Sequence, residues 1–208
     1  SIMRYYLAKF SVFIFLMLPS NVLSSDITLN ELFFDDTKPY YLKILDAIPE
    51  VGILAIGPED AENTVIEFMD YFCGYCKKIH PELMSLIEKR DDTRVVFLQH
   101  PILSESSNII AKMVVAANLQ GKGMELHHGL FSLSGSITQE KLEQVITEVE
   151  INKTKLMIDI GKDEINNVVK LSSFLAMGSG ARGTPAIFIN EEFVGGYIPL
   201  DKLESMLK

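Results

Sequence analysis

Apolar residues along the 208-residue chain change their period several times, and each change marks an element. Thr64-Val-Ile-Glu-Phe-Met69 is short, β-branched and apolar, the pattern of a buried strand. The period then becomes helical, with Ile79, Leu83, Leu86 and Ile87 on one face, and Pro81 inside it predicts a kink. Arg94-Val-Val-Phe-Leu98 repeats the strand pattern, so a β-α-β unit with a parallel pair and a right-handed crossover is expected. From Ser104 to about Gly180 the pattern is helical throughout. It gives amphipathic stretches at Ile109–Leu119 and Met124–Leu133, a third helix capped by Thr138 and running to about Val149, and one or two more from Leu156 to Met177. A hairpin, Ala186-Ile-Phe-Ile189 and Phe193-Val194 around Asn190-Glu-Glu192, and a helix at Leu200–Leu207 close the chain. The order predicts one α/β domain, residues 61–102 and 181–208, interrupted by an all-helical insertion at 103–180.

Upstream, residues 25–60 read as a helical extension split by Pro39, with apolar positions at Leu29, Leu32 and Phe33 and again at Tyr41, Leu42, Ile44, Leu45 and Ile48. Gly57–Pro58–Glu59–Asp60 ends it as a turn. Such a segment either caps the domain or assembles a homo-oligomer. Residues 1–24 carry Arg4 and Lys9, an apolar run from Phe10 to Leu18, and small residues near Ser24 and Ser25. That is the composition of a signal peptide, and the run is well short of the roughly 20 residues of a bilayer span. Cleavage near Ser24 or Ser25 is expected, with retention as an anchor the alternative. The mature protein is then expected in the periplasm or otherwise exported to the bacterial cell envelope.

Charge narrows the partners. Removing Arg4 and Lys9 from 19 basic residues leaves 17 against 28 acidic ones, a formal −11. Phosphate backbones need a basic surface, so no nucleic-acid partner is expected.

The chain has just two cysteines, Cys73 and Cys76. A disulfide between them would close a tiny loop and constrain little unfolded chain, which argues against a structural staple. Their position where a strand ends and a helix begins points to redox chemistry. Free N–H groups and the positive end of the helix dipole face the first sulfur and stabilise its thiolate, the nucleophile and leaving group of disulfide exchange. Cys73 is therefore the expected nucleophile and Cys76, one turn deeper, the resolving thiol. Gly74 and Tyr75 set the geometry between the sulfurs and are expected to contact substrate. Zinc is the rival chemistry, because Cys73, Cys76 and His80 form C-x2-C-x3-H and His100 offers a fourth ligand. His127 and His128 lie on an apolar-periodic stretch and read as packed or surface residues. Asp70 reads as a structural acceptor where the helix begins, and Tyr71 and Phe72 as packing around the site. Gly183–Thr184–Pro185 directly precedes a strand, a position where proline is either an ordinary loop residue or cis.

Glu67-Phe-Met-Asp-Tyr-Phe-Cys-Gly-Tyr-Cys76 resembles the active-site segment of the DsbA-like thioredoxin-fold proteins. His100-Pro-Ile-Leu103, Gln120-Gly-Lys122 with His127 and Phe131, and Gly183-Thr-Pro-Ala-Ile-Phe-Ile189 match that family in order and spacing, over roughly residues 60–208. The resemblance implies a thioredoxin-like fold with a helical insertion, and a thiol–disulfide oxidoreductase or isomerase needing no cofactor beyond its own disulfide. It implies that Pro185 is cis and lies beside the cysteines, that the Thr184 backbone pairs with substrate peptide, and that Glu67 is a partly buried acid moving the Cys76 proton. Its partners would be exported cysteine-containing proteins and a membrane redox protein that re-oxidises or reduces the site.

Gly-Tyr departs from the Pro-His of the family's strongest oxidases. Tyrosine cannot supply a histidine's charge, so the Cys73 pKa is expected above the ~3.5 of DsbA and the potential below its ~−120 mV. Gly-Tyr is also the dipeptide of the periplasmic isomerase DsbC, which keeps isomerisation beside oxidation. A non-enzymatic surface or scaffold module of the same fold is the alternative outside catalysis.

Overall fold

The computed structural model describes residues 37–208. The expected signal peptide and the first half of the extension, with Leu29, Leu32 and Phe33, lie outside the described residues. The second half forms helix α1 (Tyr40–Ala47).

Strands β1 (Leu54–Ile56), β2 (Asn63–Met69), β3 (Thr93–Gln99), β4 (Ala186–Ile189) and β5 (Glu192–Val194) form one sheet in the order β1-β3-β2-β4-β5. β2 pairs parallel with β3, Glu67 opposite Phe97, and antiparallel with β4, Glu67 opposite Ile187. Helix α2 (Gly74–Lys89) connects β2 to β3 and is continuous through Pro81. The insertion supplies α3 (Glu105–Ala117), α4 (Gly123–Phe131), α5 (Gln139–Glu148), α6 (Lys153–Asp159) and α7 (Asp163–Gly178), and α8 (Leu200–Ser205) ends the chain. Thr138 caps α5 by accepting from Lys141 N.

β1 corrects the reading of residues 25–60 as a helical extension ending in a turn. Leu54–Ile56 pairs antiparallel with β3 at the sheet edge. Three residues are too few to show alternation, and only the unpaired edge of β3 decides their conformation. Gly57 then turns the chain at φ +102°, where any Cβ would fall on the Thr93 carbonyl oxygen.

Alternation along the strands divides the core. Val65, Met69, Val95, Phe97, Ile187 and Ile189 point to one face, where Ile79, Leu83 and Leu86 of α2 cover them. Ile66, Phe68, Val96, Leu98, Ala186 and Phe188 point to the other, under Tyr41, Ile44 and Ala47 of α1 and Leu171, Leu175 and Ala176 of α7. Both faces of β2 and β3 are thus covered, the condition under which strands become almost wholly apolar. Asn63, Thr93 and Gln99 are buried polar residues at the strand ends, and Glu67 is a fully buried acid at the centre of β2. Among the described residues no helix is long and apolar enough to cross a membrane.

Candidate active site

The end of β2 and the start of α2 place the cysteines. Asp70 shapes the link: its carboxylate accepts from Phe72 N at 2.9 Å, and its carbonyl accepts from Cys73 N at 3.0 Å. The other carboxylate oxygen accepts from Ile102 N and Leu103 N, both at 3.0 Å. Asp70 therefore ties the active-site turn to the loop after β3, which extends the acceptor role read from sequence.

Cys73 is the N-cap of α2, its sulfur accepting from Cys76 N at 3.4 Å. When protonated, the same sulfur donates to the Thr184 carbonyl at 3.3 Å. The Thr184–Pro185 peptide is cis. Residues 111 positions apart thus meet at one sulfur.

Hydrogen bonding from the Cys76 side chain, helped by Thr184 and by backbone N–H groups of the first turn, outweighs burial and lowers the Cys73 pKa to about 6. Burial pushes the Cys76 thiol far up, and its bond to Cys73 and the charge of Glu67 push it further. Two sulfurs one helical turn apart are therefore a thiolate and a thiol at neutral pH. Burial, then the charge of Cys73, raises the Glu67 carboxyl well above the usual carboxylate range, opposed more weakly by the Cys76 thiol. Neither Glu67 oxygen has a partner in hydrogen-bond geometry.

Gly74 has open space around it, and Tyr75 is 60% exposed. The Tyr75 ring lies 5.8 Å from that of Tyr197, over which the Lys78 ammonium sits at 4.5 Å. Phe72, Cys73, Gly74 and Lys77 line an open cavity of about 340 Å³ whose far wall is Leu130, Phe131 and Ile137 of the insertion.

The fold does not gather the zinc ligands that the spacing suggests. His80 Nε2 bonds His128 Nδ1 at 2.9 Å, and His100 Nδ1 bonds Ser173 Oγ at 3.1 Å. Among the described residues no three His, Cys, Asp or Glu side chains gather to hold a metal ion. The spacing C-x2-C-x3-H reflects one buried helix face, on which His80 packs rather than ligates.

Sequence reasoning took the histidines one at a time and missed what they build together. Tyr71 OH lies 2.6 Å from His127 Nδ1 and accepts from Gln99 Nε2 at 3.1 Å. His80 and His127 are both buried, with ring centroids 5.1 Å apart and Phe131 within 5.1 Å of each. Burial lowers both imidazole pKa values, that of His80 to about 4, so the rings are neutral at pH 7. The available signal was weak: His80 and His127 sit at buried positions of two helices, and nothing in spacing shows that those positions face each other.

A thioredoxin family model matches residues 50–208. A Na(+)/H(+) antiporter NhaA of Herminiimonas arsenicoxydans is 27% identical over 142 residues, 68% of this chain and only 22% of the antiporter's length. Disulfide bond formation protein D of Bacillus subtilis is 21% identical over 169 residues, 76% of each chain. Among solved structures, a thioredoxin-like oxidoreductase from Silicibacter pomeroyi superposes with a TM-score of 0.71 at 26% identity, covering 86% of this chain and 95% of that one. The thiol-disulfide exchange protein alpha-DsbA2 of Wolbachia pipientis gives 0.67 at 24% identity, over 85% and 88%, a likeness of fold. With its sheet, its helical insertion and its match over residues 50–208, the chain belongs to the thioredoxin family.

Proposed function

We propose that this chain exchanges disulfides with exported proteins, Cys73 acting as nucleophile and Cys76 as resolving thiol. The observation that carries the reading is the split in proton affinity between two sulfurs on one helical turn. The Cys73 thiolate attacks a substrate disulfide, and Cys76 then displaces the substrate and closes the Cys73–Cys76 bond; in the oxidising direction a substrate thiolate opens that bond at Cys73, Cys76 leaves, and a second substrate thiolate expels Cys73. Glu67 takes the proton that Cys76 must lose. The substrate segment lies along Thr184, beside Pro185, and over Gly74 and Tyr75. Cell-envelope location and a membrane redox partner belong to the same reading. The name of the Bacillus subtilis relative, disulfide bond formation protein D, supports it.

A Cys73 pKa near 6 lies above the ~3.5 of DsbA and just below the ~7 of thioredoxin, which supports a mild centre able to isomerise as well as oxidise. Refolding a reduced and a scrambled multi-disulfide protein separates these, since an oxidase acts on the first alone.

Trapping tests the core of the proposal. In a Cys76→Ala variant, mixed disulfides through Cys73 should accumulate with exported proteins and disappear on reduction. Their complete absence would sink it, as would full function in Cys73→Ser, the behaviour of a scaffold module.

A further inference from the structure

Cys76 and Glu67 are both shut off from water, being 0% exposed. A resolving Cys76 must nevertheless lose a proton in each oxidation and regain one in each reduction. Glu67 can hold that proton but has no outlet of its own. The groups packed behind it supply one.

Gln99 Nε2 can only donate, so the Tyr71 hydroxyl accepts there and directs its own hydrogen to His127 Nδ1. Neutral His127 then carries its remaining proton on Nε2, a buried atom without a partner. His80 Nδ1 is likewise buried and unpartnered, while its Nε2 faces His128 Nδ1. With His80 donating from Nε2 to His128, the open Nδ1 is an acceptor matched to the open His127 Nε2–H. The two rings stand 5.1 Å apart between centroids. Imidazoles joined by an N–H···N bond of about 3 Å have centroids about 5 Å apart, so the separation of these rings fits such a link. His128 is exposed and ends the series in solvent. At the inner end, Glu67 lies opposite Phe97 in the sheet, whose ring packs 4.3 Å from that of His127, and Gln99, two residues on, holds the Tyr71 hydroxyl.

We propose that Tyr71, His127, His80 and His128 form a proton wire carrying the Cys76 proton between the buried site and solvent. The inference rests on the reading of Cys76 as resolving thiol. When Cys76 attacks, its proton passes to Glu67 and on to the Tyr71 oxygen as Tyr71 gives its own to His127 Nδ1. His127 Nε2–H passes to His80 Nδ1, His80 Nε2–H to His128 Nδ1, and His128 Nε2–H to water. One proton leaves, each ring stays neutral, and each ends in its other tautomer. Reduction of the disulfide returns one proton the opposite way and resets every tautomer. The wire is thus restored once per redox cycle.

Glutathione disulfide tests this without a protein substrate. It places glutathione on Cys73, and Cys76 then expels it, the two steps being separable by acid quenching and mass measurement. In His80→Gln the hydrogen-bonding side chain remains but cannot take a proton on one atom and release another. Expulsion should slow by about 100-fold, the lower end of what positioned proton transfer contributes, while adduct formation at Cys73 keeps its rate. His128→Ala, a surface change that leaves the core intact, should slow expulsion by about tenfold, because water replaces the last member in part. Expulsion at the parent rate in both variants would overturn the wire. So would rescue by His80→Gln of a defect seen in His80→Leu, the signature of packing alone. A parent adduct that never resolves would instead bring down the disulfide-exchange reading, and the wire with it, a result distinct from equal rates.

Discussion

Cys73 and Cys76 are chemically identical side chains separated by one helical turn, and their surroundings make opposite use of them. Cys73 gains hydrogen bonds at the helix start, whereas Cys76 loses water and gains two negative neighbours. Alkylation of the reduced protein by iodoacetamide should therefore titrate with a midpoint near pH 6, well below the ~8.5 of a free thiol. All of that early reactivity should map to Cys73 by peptide mass, and modification of Cys76 under native conditions would contradict the assignment. At this scale the sequence was readable where chemistry follows from local position. A cysteine before a helix is an N-cap wherever it occurs, whereas the role of Glu67 was implied by the resemblance of its segment and not by its position. The partners of His80 were not readable, because His127 and His128 reach it from α4, a separate segment that only folding brings alongside.

Elements hold this site through few contacts. The Asp70 carboxylate accepts three backbone N–H groups, joining the β2–α2 turn to the loop at Ile102 and Leu103. Asp70→Ala should destabilise the protein by about 3 kcal/mol in urea denaturation, of the order expected when donors to a buried charged acceptor lose it. Asp70→Asn, which keeps one acceptor oxygen, should recover part of that. β2, β3 and α2 were legible because length and period agree over seven or more residues. β1 was not, since an edge strand of three residues is defined by its neighbour and not by its own pattern.

For the molecule as a whole, the fold class follows from the order of periods, but the place of α1 does not. Pattern alone left it as a cap or an assembly segment, and packing of Tyr41, Ile44 and Ala47 on the sheet makes it part of the core. The low Cys73 pKa also reaches the whole molecule through linkage. Below pH 6 the thiol is protonated in folded and unfolded chains alike. Between about 6 and the unfolded value near 8.5, only the folded reduced protein holds the thiolate, so its stability rises with pH across that window. The oxidised protein has no such group. Melting both forms at about pH 5.5 and pH 8 should show the reduced form gaining relative to the oxidised one, and an unchanged difference would refute the linkage. A last consequence comes from the rings beside the sulfurs. The chain contains no tryptophan and seven tyrosines, of which Tyr71 precedes the pair and Tyr75 lies between its members. Sulfur quenches tyrosine emission differently as thiolate and as disulfide, so the protein carries its own optical gauge of redox state, readable in ultraviolet light without a label.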